Sequence, residues 1–477
     1  MFVRKWSALP ADPVFPSDLK GLGYFINKDD EVRSIENEDN YFKYFISRNM
    51  RVNDRQRFAM NQAIQNEIHK RLTDLSLSKL FLPECTTSAP SGPNVPIFVS
   101  ADLAKKSRVV IIFGEIHQDL GVLAHRILGG PGGIDKGSLV SVVKVLLQQR
   151  CSPADATVPG IILANMGELV WWPEGGRTLS KYSFDSAPMR SAAHLGNYVD
   201  PKVNYVPGNE TCGAHVKFIF EKVVPDFVNP TAGLDIIGLG DGADVVETYL
   251  NNNETWERIA GRINCFASVG GHFPVWELKC DGLQEFLKDR TRAYVPSLEP
   301  LGMVLSGPDG NSNTTTFTEL GCPVFSAGEP LHVETLFIAS HTTVLDWLQE
   351  VADTSSKTKP YKNPMFTVVY SDGHREDSDW DCEEDISENR EEDISKNCEE
   401  DISSTIAEVD SSEDEGVGDW LVIPGDNVMA SKKADQKKAG NDEQGGESML
   451  GKVSSSTLSA LKTAMAATTI KNPGHKA

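Results

Sequence analysis

Apolar positions along this chain recur with two periods, one near 3.6 and one near 2, and the switches between them mark its elements. Between 55 and 79, Phe58, Ile64, Ile68, Leu72 and Leu75 return mostly at three- and four-residue intervals, which predicts an amphipathic helix. Four prolines between 83 and 96 break it. Short apolar runs then alternate with helical stretches. Strands are expected at 97–100, 108–113, 160–165, 234–239, 262–269, 303–306 and 322–327, and helices at 138–149, 215–224, 242–250 and 334–351. Such alternation predicts βαβ units around a mostly parallel sheet. Unbroken apolar runs such as 109–113 suit strands covered on both faces. The expected fold is a single α/β domain over 10–352, with helices on both sides of its sheet.

Past 352 the pattern fails. Residues 365–370 read as a last edge strand or as a tail segment that docks. An octad with the core Glu-Glu-Asp-Ile-Ser then starts at Cys382, Arg390 and Cys398. One isoleucine in eight residues offers no stripe to bury, so 353–430 is expected to be a disordered, acidic, low-complexity tail. Residues 431–477 read as a linker with Lys432, Lys433, Lys437 and Lys438, followed by a short amphipathic helix carrying Leu458, Leu461 and Met465. The lysine pairs are compatible with nuclear import, or with a solvated linker.

Charge sharpens this division. The 477 residues carry a net charge of −22, yet 372–419 alone hold 21 acids against 3 basic residues. A nearly neutral body therefore precedes a strongly acidic tail, and direct nucleic-acid binding is not expected. The N-terminus has no apolar leader and no stretch reaches ~18 apolar residues, so neither secretion nor a membrane span is expected. The eight cysteines form no C-x-x-C pair and no zinc spacing, and Cys265 and Cys322 sit in apolar runs where reduced thiols are common. The expected location is intracellular, in nucleus and/or cytoplasm, with no metal and no cofactor.

Candidate chemistry centres on 234–244, Leu-Asp-Ile-Ile-Gly-Leu-Gly-Asp-Gly-Ala-Asp. An apolar strand runs into glycines and a helix begins at once, the outline of the α/β-hydrolase nucleophile elbow G-x-S-x-G. In that register Gly238, Gly240 and Gly242 fall on the pattern, and Gly240 stands where the serine belongs. Without a side chain no acyl-enzyme forms there. Asp241 is one position off and should lie along the new helix, favourable to its dipole. Two other readings compete: a phosphate loop of the G-x-G-x-x-G/A type, and a tight strand–helix turn with no chemistry. Triad order places an acid and then a histidine downstream. Asp309 and His332, each past a later predicted strand, are the candidates for relics of the acid and the base. His272 also follows a strand end.

These features, taken in order, resemble the fungal Argonaute-binding-protein-two (Arb-two) domain family, an α/β-hydrolase-like fold. The matching residues are Phe15-Pro16 with Gly21-Leu-Gly-Tyr24, Asn40 through Phe45, the helix near 55–71, the strands at 97–100, 108–114 and 161–165, Gly137-Ser138, the elbow, and Gly328 to His332. Family members often carry His-Ser-x-Gly-Gly at the elbow, where this chain has Leu239-Gly-Asp-Gly-Ala243. The resemblance implies protein contacts in Argonaute-linked RNA silencing and heterochromatin, alongside histone deacetylases. The departure at the elbow points to a pseudoenzyme.

One tail motif stands apart. Trp420-x-x-Ile423 follows an acidic run, a pattern similar to peptides that bind ubiquitin-like autophagy modifiers by adding a strand to a sheet edge. Ser411 and Ser412, in S-x-x-D/E contexts, are phosphorylation candidates whose phosphates would add negative charge beside the Trp. The alternative reading is that 420–424 packs back onto the domain. Three functions are thus in play: a non-catalytic silencing scaffold, an adaptor working through its tail, and an unorthodox hydrolase.

Overall fold

The computed structural model describes residues 9–194, 196–314, 319–355 and 359–368. All lie in one compact unit, 1–381; a second unit, 382–477, falls wholly outside them. The octad repeat, Ser411, Ser412, Trp420, Ile423, the lysine pairs and the terminal helix therefore lie outside the described residues.

The strands in chain order are β1 (Tyr24–Ile26), β2 (Val32–Ser34), β3 (Leu77–Leu82), β4 (Val95–Ser100), β5 (Arg108–Phe113), β6 (Gly160–Ala164), β7 (Val170–Trp172), β8 (Arg177–Leu179), β9 (Gly233–Leu239), β10 (Ile263–Val269), β11 (Thr291–Val295), β12 (Val304–Ser306) and β13 (Val324–Ser326). Nine of them form one sheet in the order β12-β13-β11-β10-β9-β5-β6-β4-β3. The run β6-β5-β9-β10-β11-β13 is parallel throughout. β4 runs against β6 and β3, and β12 against β13. This mostly parallel sheet, with an antiparallel strand second from one edge and a glycine turn after the central β9, is α/β-hydrolase-like.

Strand periodicity splits the core between the two faces. Ile111, Phe113 and Ile236 point into a cluster with Val216, Phe220 and Val246. Val110, Ile112 and Ile237 point into the other, with Ile68, Val143 and Leu348. Helices thus cover both faces, as expected from the apolar runs.

Several boundaries differ from the sequence expectation. The first long helix is Met50–Asp74, capped by the Asn49 side chain, and does not continue to 79. Ser76 takes φ 67°, which ends the helix, and Leu77, Leu80 and Leu82 turn inward from β3. β11 was not anticipated, because it follows the helix Asp281–Arg290 with no intervening breaker. Segment 365–368 is not a strand. It docks: Phe366 meets Phe325 edge-on with centroids 5.2 Å apart, and Tyr361 is buried. The last described helix extends to Thr354.

Parallel strands gather their C-terminal ends on one side. The turns after β5, β9, β10, β11 and β13 therefore share one end of the sheet, and that end holds the glycine turn.

Candidate functional site

Gly240 directly follows β9 and precedes the helix Asp241–Leu250, with φ 50° and ψ −135°. An L-residue meets steric strain in that region, whereas glycine enters it freely. Its N–H donates to the Val269 carbonyl at 2.8 Å and its carbonyl accepts from the Ala243 N–H at 2.9 Å. Two further glycines let the turn close. A Cβ on Gly238 would stand 2.5 Å from Ala243 Cα, and one on Gly242 would stand 2.2 Å from the Gly114 carbonyl oxygen. The sharp strand–helix turn of an elbow is thus complete, with hydrogen at the position from which a nucleophile would project.

The space above that hydrogen is taken. A Cβ on Gly240 would lie 1.7 Å from Glu115 Oε1 and 2.3 Å from Glu115 Cδ. Glu115 sits two residues past β5, and its carboxyl lies where a serine side chain at 240 would have to go. Around it is a small cavity, with free space for about one water molecule. Gln118, Leu123, Leu239, Val269, Glu334 and Phe337 are among its lining residues. Burial, with Asp241, Asp244 and Glu334 nearby, pushes the Glu115 carboxyl up to about 7. Asp244, also raised by burial, to about 6, accepts the His272 N–H at 2.8 Å.

The other predicted residues fall in different places. Asp241 is the exposed first residue of the helix, as expected of a dipole partner. His332 does follow β13, but its Nε2 accepts from Arg126 Nη1 at 2.6 Å, and the side chain is absent from the cavity lining. Arg126 also pairs with Glu334 at 3.3 Å. Asp309 is corrected. Because β12 runs antiparallel, the turn after it lies at the opposite end of the sheet from Gly240. There Asp309 is 84% exposed and pairs with Lys288 at 3.3 Å. The two proposed relics are therefore not brought together.

Sequence reasoning missed Glu115, Glu334 and Arg126. The usable signal for Glu115 was position, since the turn after β5 is one that supplies the oxyanion hole in hydrolases. A buried pair of acids sits in the segments after β5 and β6. Asp119 accepts from Ser180 Oγ at 2.7 Å, and Glu168 accepts from Gln65 Nε2 at 2.9 Å and the Leu120 N–H at 2.8 Å. Burial pushes both carboxyls up, and the Asp119 charge raises Glu168 further. His125, 3.8 Å from Asp119, is pushed down to about 4 by burial and stays neutral. No group of three or more His, Cys, Asp or Glu among the described residues is arranged to hold a metal. No described helix is long and apolar enough to cross a membrane.

A family model for the Arb2 domain matches residues 15–301, more than half of the chain. The chain belongs to the Arb2 domain family. The match includes the elbow and Glu115 and ends before His332, so the resemblance of 328–332 lies beyond it. No protein of curated function matches this Arb2 chain in sequence. Among solved structures it is similar to carboxyl esterase 2 from Tuber melanosporum, at 11% identity over 60% of this chain and 88% of that one, with TM-score 0.28. Poly(aspartic acid) hydrolase-1 from Sphingomonas sp. KT-1 matches at 10% identity over 58% and 98%, with TM-score 0.27. A thermostable esterase from Pseudomonas putida ECU1011 matches at 10% over 64% and 90%, with TM-score 0.28.

Proposed function

We propose that this Arb2 domain is a non-catalytic α/β-hydrolase-like scaffold whose role is protein contact, in RNA silencing or heterochromatin, with Argonaute or a histone deacetylase complex as partner class. The observation that carries the non-catalytic part is the Glu115 carboxyl resting against Gly240. Acyl transfer needs a nucleophile in hydrogen-bond reach of a base. Here the elbow presents no side chain, a carboxyl fills the vacant volume, and the histidine past β13 is engaged by an arginine. The partner class rests on family membership together with the family's implied role. Losing a triad nucleophile typically removes ~10⁶-fold in turnover.

The test has two arms. Purified protein is offered activated esters and a fluorophosphonate probe, with no turnover and no labelling expected. Labelling at any serine, abolished by His332→Ala, would overturn the non-catalytic reading. Tagged full-length chain is then recovered from nuclear extract, and co-purification of Argonaute or a deacetylase is expected. Failure to recover either would remove the partner class while leaving the first arm untouched.

A further inference from the structure

Glu115 lies in an unusual setting for a carboxyl held against backbone. The forces acting on it come from burial and from other acids: Asp241 and Asp244 on the helix after the elbow, and Glu334 on the turn after β13. Arg126, on the short helix His125–Leu128, is committed to Glu334 and His332. His272, after β10, gives its N–H to Asp244. Glu115 itself has no ion pair among the described residues. Only the tip of the side chain occupies the site, because the atoms nearest Gly240 are Oε1, Cδ and Oε2. The group in contact is thus the far end of a flexible side chain rather than the backbone of β5.

We propose that Glu115 is a proton-controlled plug of the elbow cavity: neutral, it rests on Gly240 and closes the space; ionised, it swings out to water and opens it. The closed position suits an uncharged carboxyl, which can pack against glycine backbone and the apolar walls of Leu123, Leu239, Val269 and Phe337. A charge there loses hydration and faces like charges on two neighbouring elements. Outside, the same charge regains water. Proton loss thus favours the open state, and the switch falls where Glu115 titrates, near neutral pH. The glycine is part of the device, because any side chain at 240 would hold the plug out permanently.

The experiment uses full-length protein with Leu123→Cys, a cavity-lining position 5% exposed. Its alkylation by neutral iodoacetamide is located by mass spectrometry and divided by that of Lys217→Cys on the surface, which removes the pH dependence the two thiols share. Between pH 6 and 8 the ratio should rise about tenfold, following the ionised fraction of a group titrating near 7. In the Glu115→Gln background it should stay flat. A flat ratio with Glu115 present, or an equal rise in both backgrounds, would overturn the plug. Should Leu123→Cys fail to fold, infrared difference spectra of the unsubstituted chain against Glu115→Gln replace it. A protonated-carboxyl band at pH 6 that disappears by pH 8, and is missing from Gly240→Ala at both, is expected. Absence of that band at pH 6, or its persistence in Gly240→Ala, would sink the proposal.

Discussion

Arg108 and Asp235 form a buried ion pair across β5 and β9, with Nε 2.6 Å from Oδ2 and side chains 2% and 0% exposed. The pair is well supplied with other partners. Arg108 also donates to the Arg150 carbonyl at 2.9 Å, and Asp235 accepts from Asn264 Nδ2 at 2.8 Å. It sits where both strands begin, at the end of the sheet away from Gly240. Removing one member strands a buried charge, which costs about 3–5 kcal/mol. Asp235→Ala should therefore lower stability by about that amount in urea unfolding. The double variant Arg108→Met, Asp235→Leu should recover much of the loss.

Substitution at Gly240 should act through backbone strain. Serine there must adopt φ 50°, ψ −135° and push the Glu115 carboxyl aside. Strain of this kind costs about 1–3 kcal/mol. Gly240→Ser should thus fold with a lower midpoint and remain unlabelled by fluorophosphonate, because His332 is held by Arg126. Robust labelling of this variant would show that His332 reaches the elbow after all.

Acid stability should carry the mark of Glu168. Its folded-state value is raised above the ordinary 4.5, so the folded chain holds a proton that the unfolded chain releases. The resulting stabilisation is full below about 4.5 and is lost as pH rises toward neutrality. Glu168→Gln keeps the acceptor for Gln65 and Leu120 without the titration. The decline in stability from pH 5 to 7.5, followed by thermal midpoints, should be shallower in that variant. An unchanged slope would mean that Glu168 is ionised in the fold.

The segment 359–368 should be held mainly by Arg292. Its guanidinium lies 4.9 Å from the Trp347 ring, 5.2 Å from Phe325 and 5.3 Å from Phe366, and donates to Tyr361 Oη at 2.9 Å. Cation–π contacts of this type are worth about 0.5–2 kcal/mol each. Arg292→Ala should accelerate tryptic cleavage after Lys362 several-fold relative to the parent. Arg292→Lys, which keeps the charge and loses the planar fork, should fall between them.

Much of the architecture was legible because its signals are local. The run 234–239 is apolar apart from Asp235 and is followed at once by Gly240, and it is indeed the centre of the sheet. The boundary at 75–77 was not legible, since the leucines of the helix and of β3 follow one another at spacings both periods accept. Missing β11 shifted the later strands by one, and that placed Asp309 at the wrong end of the sheet. The apolar pattern did not mark Glu115; only its place in the turn after β5 could have. Its role arises from contact between two turns, after β5 and after β9, that only the parallel pairing of those strands brings together.

The clearances around the turn have a consequence for reading such sequences. Gly238 must pass Ala243, and Gly242 must pass the Gly114 carbonyl, whatever projects from the residue between them. Both needs are set by two backbones crossing at close range and are indifferent to reactivity. A chain is therefore obliged to spell most of the motif whether or not a nucleophile stands at its centre. Glycines at a strand–helix corner certify that two segments cross there; the residue flanked by them, and whatever leans over it, decide whether anything reacts.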